Sequence, residues 1–177
     1  MDERIGKLHL YMGNGKGKTT AAMGLALRGL GSGMRVYVAQ FLKTGDSCEL
    51  AALREHKNAT VEFVEPVGKF LFEMDDEEKT ATRISQTAAI ARIDEAIAKL
   101  KPGLMVFDEL AIAMQKDMVD GDAAMRLIDL GLSLGEVVTT GRYAPQALIA
   151  RADYVSEIRK IKHPYEQGLC ARRGIEY

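Results

Sequence analysis

Leu8-His9-Leu10-Tyr11-Met12, then Gly13-Asn14-Gly15-Lys16-Gly17-Lys18-Thr19-Thr20, then Ala21-Ala22-Met23-Gly24-Leu25-Ala26 is the stretch that decides the fold. The apolar run reads as a buried strand, the glycine cluster as a tight loop, and the Ala-rich run as a helix over Lys18 to Leu30. Strand, loop ending in Lys-Thr, and helix together give the context of a P-loop, in which backbone N–H groups and a helix N-terminus face phosphate oxygens. Three glycines allow positive φ and close backbone approach. Lys18 supplies a point charge to the phosphates, and Thr19 on the first helical turn places its hydroxyl on a magnesium ion bridging them. The usual spacing puts another glycine five residues before Gly17, where this chain has Met12. The motif is therefore recognised by its context rather than by strict pattern. Lys16 is an extra charge that either steadies a triphosphate or faces solvent.

Working outward, short apolar runs alternate with helical stretches, the signature of βαβ units. Strands are expected at Leu8–Met12, Arg35–Phe41, Thr60–Val64, Leu104–Asp108, Glu136–Thr140 and Tyr154–Lys160. None alternates cleanly. The expected fold class is α/β: a P-loop NTPase (RecA-like) three-layer fold with a mostly parallel central sheet flanked by helices. In the first helix the small residues, Gly24 among them, allow close approach to the sheet, and Gly29, Gly31 and Gly33 end it. The longest helix is expected over Asp76–Leu100, with Ile90, Ile93, Ile97 and Leu100 on one face and Pro102-Gly103 after it. Asp75, Asp76, Glu77 and Glu78 read as a solvated helix start that complements the dipole, not as a metal site. A further helix over Ala123–Leu134 has Asp122 as its expected N-cap and Gly135 as terminator. Residues 65–76 form the one long irregular connection, and connections of that length in a compact domain are usually functional or mobile.

The 177 residues suit one domain, 1–177, with no linker or internal repeat. Lys plus Arg (24) against Asp plus Glu (25) leaves a net charge of −1, so no overall field recruits nucleic acid or acidic lipid. The sequence has no run of roughly 18 apolar residues and no leader pattern at its start, so the expected location is cytoplasmic. Cys48 and Cys170 read as reduced thiols, and His9, His56 and His163 are too scattered for a protein-ligated transition metal.

Two further segments carry chemistry. Leu104-Met105-Val106-Phe107 runs into Asp108-Glu109, two acids at the carboxyl edge of the sheet where ligands of open α/β sheets bind. One of them holds magnesium, directly or through water, or one orients an attacking water; alternatively both cap the next helix. Thr139-Thr140-Gly141-Arg142 brings Arg142 to the same edge, as a phosphate ligand or a structural ion-pair partner. On the residues alone, Phe70 and Phe72 read as packing aromatics near a helix start.

The loop Gly13 to Thr20, with its missing early glycine, resembles the signature of the P-loop-type ATP:corrinoid (cob(I)alamin) adenosyltransferases. Val38 to Lys43, Phe107 to Leu110, Thr140 to Arg142, and Val155 to Glu157 through Ile161 to His163 and Gly174 to Tyr177 resemble that family in the same order. The likeness spans essentially the whole chain. It implies transfer of the 5′-deoxyadenosyl group of ATP to the cobalt of a reduced corrinoid, with tripolyphosphate leaving intact. The cofactor supplies the nucleophile, so no protein nucleophile or base is expected. The charge on the leaving group falls to the loop, Lys18, Lys16, Arg142 and Mg2+, with Thr19, Asp108 and Glu109 handling the metal. The family's Phe-x-Trp pair against the lower corrin face corresponds to Phe70-Leu71-Phe72, where Phe72 stands in the Trp position. A homodimer and a reductase that donates the electron are also implied. The rival readings are a RecA-like ATPase or small-molecule kinase releasing ADP, and a nucleotide-gated binding module.

Overall fold

A computed structural model describes residues 5–43, 47–62, 64–65, 67–69 and 71–176. Its six strands are β1 (Leu8–Met12), β2 (Val36–Gln40), β3 (Ala59–Val61), β4 (Leu104–Asp108), β5 (Glu136–Gly141) and β6 (Tyr154–Glu157). They form one sheet in the order β3-β2-β4-β5-β1-β6, and every pairing is parallel. The helices are α1 (Lys18–Gly31), α2 (Cys48–Arg54), α3 (Asp76–Leu100), α4 (Leu110–Gln115), α5 (Gly121–Leu134) and α6 (Gln146–Arg151).

Successive side chains of a strand point to opposite faces, and in the central strands β2, β4 and β5 both faces are buried, while the edge strand β6 is exposed. Val36, Val38, Leu104, Val106 and Val138 pack with Ala22, Met23, Ala26 and Leu30 of α1 and Leu50 and Leu53 of α2. Tyr37, Ala39, Met105, Phe107 and Val137 pack with Ile90, Ile93 and Ile97 of α3 and Leu127 and Ile128 of α5. This gives three layers, and it explains why the strands read as continuous apolar runs without alternation.

β1, β4 and α3 have the bounds expected from sequence. The acidic run before α3 is a capping box: the Asp75 carboxylate accepts from the Glu78 N–H, while Glu78 accepts from the Asp75 N–H. Other expectations need correction. Helix α5 starts at Gly121, and its N-cap is Asp120, not Asp122; the Asp120 carboxylate accepts from Ala123 N–H at 2.8 Å, while Asp122 lies in the first turn. Gly135 has extended backbone; glycine is required there because a Cβ would lie 2.3 Å from the Gly103 carbonyl oxygen. Gly24 is exposed and a Cβ there would meet nothing within 4 Å, whereas Gly29, inside α1 rather than ending it, is the residue that approaches the sheet: a Cβ there would lie 3.0 Å from Leu104 Cδ2. Helices α2, α4 and α6 have six or seven residues each, too short for a periodic pattern to announce them.

Strand β6 stops at Glu157 instead of Lys160 because the chain turns over the glycine loop: Ile158 N–H donates to Met12 O and Ile158 O accepts from Gly15 N–H. Strand β2 is trimmed to Val36–Gln40, β3 begins one residue earlier than expected and ends at Val61, and position 63 lies outside the described residues. Among the described residues no helix is long and apolar enough to cross a membrane. Both cysteines are free, and the histidines take local roles: His9 bonds Glu136 at 3.0 Å, and the His56 and His163 rings accept from nearby backbone N–H groups.

Candidate active site

Parallel strands deliver all their carboxyl ends to one edge, and the loops after β1, β2, β4 and β5 meet there. In the glycine loop, Gly13 (φ 114°) and Gly17 (φ 118°) are left-handed. Gly13 N–H donates to Arg142 O at 3.3 Å and Gly15 N–H to Ile158 O at 2.8 Å. A Cβ at Gly13 would lie 2.4 Å from Ile158 O, and one at Gly15 would lie 2.8 Å from Arg159 C. These two glycines therefore serve the close approach of the segment after β6, which Asn14 also fastens by accepting from Lys160 N–H at 2.8 Å. The N–H groups left for phosphate lie further on, at Gly17 and the first turn of α1. That turn has no side-chain cap, and by helix geometry its first N–H groups lack intrahelical acceptors.

Lys18 Nζ donates to Gly15 O at 2.8 Å, so the ammonium is held over the loop. Burial lowers its pKa, with the Glu109 carboxylate opposing and the Arg142 guanidinium adding to the shift. Lys16 is exposed, as the solvent-facing alternative expects. It pairs with Glu176 at 3.1 Å, and Arg172 holds the same carboxylate with its backbone N–H at 2.8 Å and its guanidinium at 3.1 and 3.2 Å. The Arg172 bonds, with Lys16 contributing less, keep the Glu176 pKa down at about 2. Thr20 is exposed at the outer side of the turn.

Behind the loop, Asp108 is fully buried at the end of β4. Thr19 Oγ1 donates to its two oxygens at 2.9 and 3.1 Å, Thr140 Oγ1 donates at 2.6 Å and Gln40 Nε2 at 3.1 Å. Lys43 Nζ stands 3.4 Å from Oδ2. The sequence-predicted pair Thr19 and Asp108 thus comes into direct contact. A hydroxyl and carboxylates are hard oxygen donors of the kind Mg2+ takes when one or two of them complete a shell of phosphate oxygens and water. Among the described residues no group of three or more His, Cys, Asp or Glu is placed to hold a metal ion.

Glu109 occupies the N-cap position of α4 with φ 61° and makes no side-chain cap bond; capping does not account for it. Its N–H donates to Thr140 Oγ1 at 2.9 Å. Burial, then the neighbouring Asp108 charge, raises its pKa, against the pull of Lys43 and Lys18. A raised carboxylate pKa means that folding is favoured below the unfolded value and loses stability as pH rises through the folded value. Glu109→Gln should therefore raise Tm at pH 8, with the gain shrinking towards zero as pH falls below the ordinary carboxylate range, measured by thermal melts across pH.

Arg142 is exposed, and among the described residues no ion pair engages it. Its side chain lines a cavity of about 690 Å³ together with Lys43, Glu109, Phe72, Ile112 and Tyr143. Phe72 is 84% exposed on a 3-10 turn at Leu71–Glu73, which overturns its reading as a core aromatic. Phe70 lies outside the described residues.

A sequence profile of the family described as ATP:corrinoid adenosyltransferase BtuR/CobO/CobP matches residues 4–177. The chain is 34% identical over 177 residues to a corrinoid adenosyltransferase of Pseudomonas aeruginosa, covering 99% of this chain and 85% of that protein. It is 33% identical over 181 residues to the corrinoid adenosyltransferase of Escherichia coli K12, covering 99% and 87%. It is also 33% identical over 180 residues to the corrinoid adenosyltransferase of Salmonella typhimurium, again covering 99% and 87%. The chain belongs to the ATP:corrinoid adenosyltransferase family.

As an adenosyltransferase-family member it is a transferase, and its sheet edge contains residues that motif reading left without roles. Gln40, Lys43 and Thr140 surround Asp108, and Glu176 engages Lys16. Gln40 ends β2 and Lys43 follows it, both within the Val38 to Lys43 run that resembles the family, but only the pairing of β2 with β4 sets them against Asp108.

Proposed function

We propose that the protein transfers the 5′-deoxyadenosyl group of ATP to the cobalt of a reduced corrinoid, releasing tripolyphosphate. The observation that carries this reading is the junction of two sites at one edge. A glycine-loop cradle with Lys18, Thr19 and Asp108 adjoins a cavity of about 690 Å³ that Glu109, Lys43 and Arg142 connect to it, its wall made of apolar side chains such as Leu71, Phe72 and Ile112 together with Lys69, Lys79 and Lys116. A corrin ring demands an apolar wall, and a triphosphate leaving group demands fixed positive charge where its charge grows. Family membership favours adenosyl transfer over release of ADP or nucleotide-gated binding.

On this reading Lys18, the N–H groups of Gly17 and the first turn of α1, and Arg142 stabilise the leaving polyphosphate. Thr19 and Asp108, with Glu109 beside them, would hold Mg2+, whose chemistry there is to neutralise phosphate charge. Lys16 acts through its pairing with Glu176, fixing the C-terminal segment beside the loop. The corrinoid brings the nucleophile, so protein residues bind, orient and exclude water. Phe72, presented at the cavity wall, packs against the corrin face and keeps the lower axial ligand off cobalt, which lowers the energy of adding the electron. The protein works in the cytoplasm as a homodimer, with a separate reductase as electron donor.

The test is anaerobic incubation with Mg2+, ATP and chemically reduced cobalamin, following the cobalt spectrum and the phosphate product. Light-sensitive adenosylcobalamin appearing in step with tripolyphosphate is expected; ADP and phosphate with unchanged corrinoid would sink the reading. In the same assay run from the base-containing, less reduced corrinoid, Phe72→Ala should lose at least about tenfold in rate, the scale at which a single contact made in the reactive state is worth roughly 1.4 kcal/mol. An unchanged rate would remove Phe72 from the corrin face.

A further inference from the structure

Lys43 follows β2 and reaches the centre of the site. Leu42 before it is left-handed at φ 53°, a conformation that residues with a β-carbon rarely adopt and that tends to persist at functional positions. The surrounding structure holds it there: Leu42 N–H donates to Gln86 Oε1 at 3.0 Å, and Lys43 O accepts from Val67 N–H at 2.9 Å. This pinned backbone aims the Lys43 side chain at Asp108 Oδ2, 3.4 Å from Nζ, with the lysine side chain 30% exposed and the carboxylate wholly buried.

The four groups on the Asp108 carboxylate differ in how freely they can leave. Thr140 is fixed on β5, and Gln40 is fixed by the Ser47 hydroxyl, which donates to its Oε1 at 3.0 Å. Thr19 is itself a candidate metal ligand. Lys43 makes the longest of the four contacts, is the one charged neighbour of the set, and sits on a flexible stem. Its side chain also lines two cavities, the one with Phe72 and Arg142 and a second of about 450 Å³ that includes Thr19 and Thr20. A divalent ion on Asp108 would stand a few ångströms from the ammonium, and like charges at that separation in a buried site repel strongly. Metal and lysine would therefore compete for the one Asp108 carboxylate.

We propose that Lys43 is an exchangeable counter-cation that competes with the divalent ion for Asp108 and, once displaced, turns into the adjoining cavity to bind the polyphosphate of ATP. This rests on the metal role given to Thr19 and Asp108 above. It makes metal loading and phosphate binding one coupled event: the incoming ion frees a positive charge within reach of the leaving group.

The test uses Mn2+ and ATP without corrinoid, so it is independent of adenosyl transfer. Lys43→Met should tighten Mn2+ binding to the nucleotide-free protein roughly tenfold, read by electron paramagnetic resonance, because the competing charge is gone. The same variant should weaken ATP binding roughly tenfold when Mn2+ is present and about twofold or less in chelator. Lys43→Arg should keep both values within about twofold of wild type. Unchanged or weaker Mn2+ binding, or an equal loss of ATP affinity with and without metal, would overturn the proposal. If circular dichroism shows Lys43→Met unfolded, Lys43→Gln carries the same expectations. Wild-type protein that binds no Mn2+ even with ATP would overturn the metal assignment and this proposal together, leaving the transferase assay to stand by itself.

Discussion

Lys18→Ala is expected to lower kcat for adenosyl transfer by about 10²–10³-fold, the loss seen when one preorganised group facing developing transition-state charge is removed. The reacting cobalt brings its own electrons, so the protein's largest contribution is to the departing polyphosphate, on which negative charge grows as the bond to the 5′-carbon breaks. Lys18 is fixed for that task before ATP arrives, because its bond to Gly15 O at 2.8 Å holds the ammonium over the loop. Its lowered pKa, caused first by burial, marks a partly dehydrated charge, which interacts more strongly with phosphate than a fully solvated one. Only one part-buried hydrogen bond to a backbone carbonyl is lost, so Tm should stay within a few degrees of wild type. The check is single-turnover rate with saturating ATP alongside a thermal melt. A rate within about threefold of wild type would assign the phosphate charge elsewhere.

Gly13→Ala is expected to be the most damaging single-methyl change at the site, costing about 2–4 kcal/mol of folding stability. Two penalties add. The φ of 114° is strained for any residue with a Cβ, and that Cβ would lie 2.4 Å from Ile158 O, a backbone atom already tied to Gly15 N–H. Gly17→Ala separates the two, because Gly17 has the same backbone strain (φ 118°) with nothing within 4 Å of the new methyl. It should cost about 1–2 kcal/mol, the strain alone. Urea denaturation of both variants measures the difference. Equal losses would mean that the segment after β6 moves away without penalty and that its packing on the loop contributes nothing to stability.

Those two glycines also show where reading the sequence stopped. Both look alike as members of a phosphate loop, yet one is needed for the chain that crosses above it and the other for the turn into α1. Glu109 gives the same lesson: two adjacent acids after β4 were legible, whereas their different environments, a wholly buried carboxylate held by two hydroxyls and a half-buried one with raised pKa, were not.

By itself the sequence determined what is encoded within a few residues. The strand, glycine loop and helix of residues 8–31, the capping box at Asp75 and Glu78, the isoleucine face of α3 and the two acids ending β4 all follow from local periodicity, capping chemistry and turn preference. With the order of its motifs, it also determined the family. The tertiary structure decided which distant residues meet. Strand order places β2 beside β4, so Gln40 and Lys43 reach Asp108; the turn after β6 folds Ile158 onto the loop; and the C-terminal segment returns Glu176 to Lys16. Such contacts leave no periodic trace in the chain, because strand neighbours are chosen by the burial of both sheet faces across the whole domain and not by any local preference of the residues that end up touching.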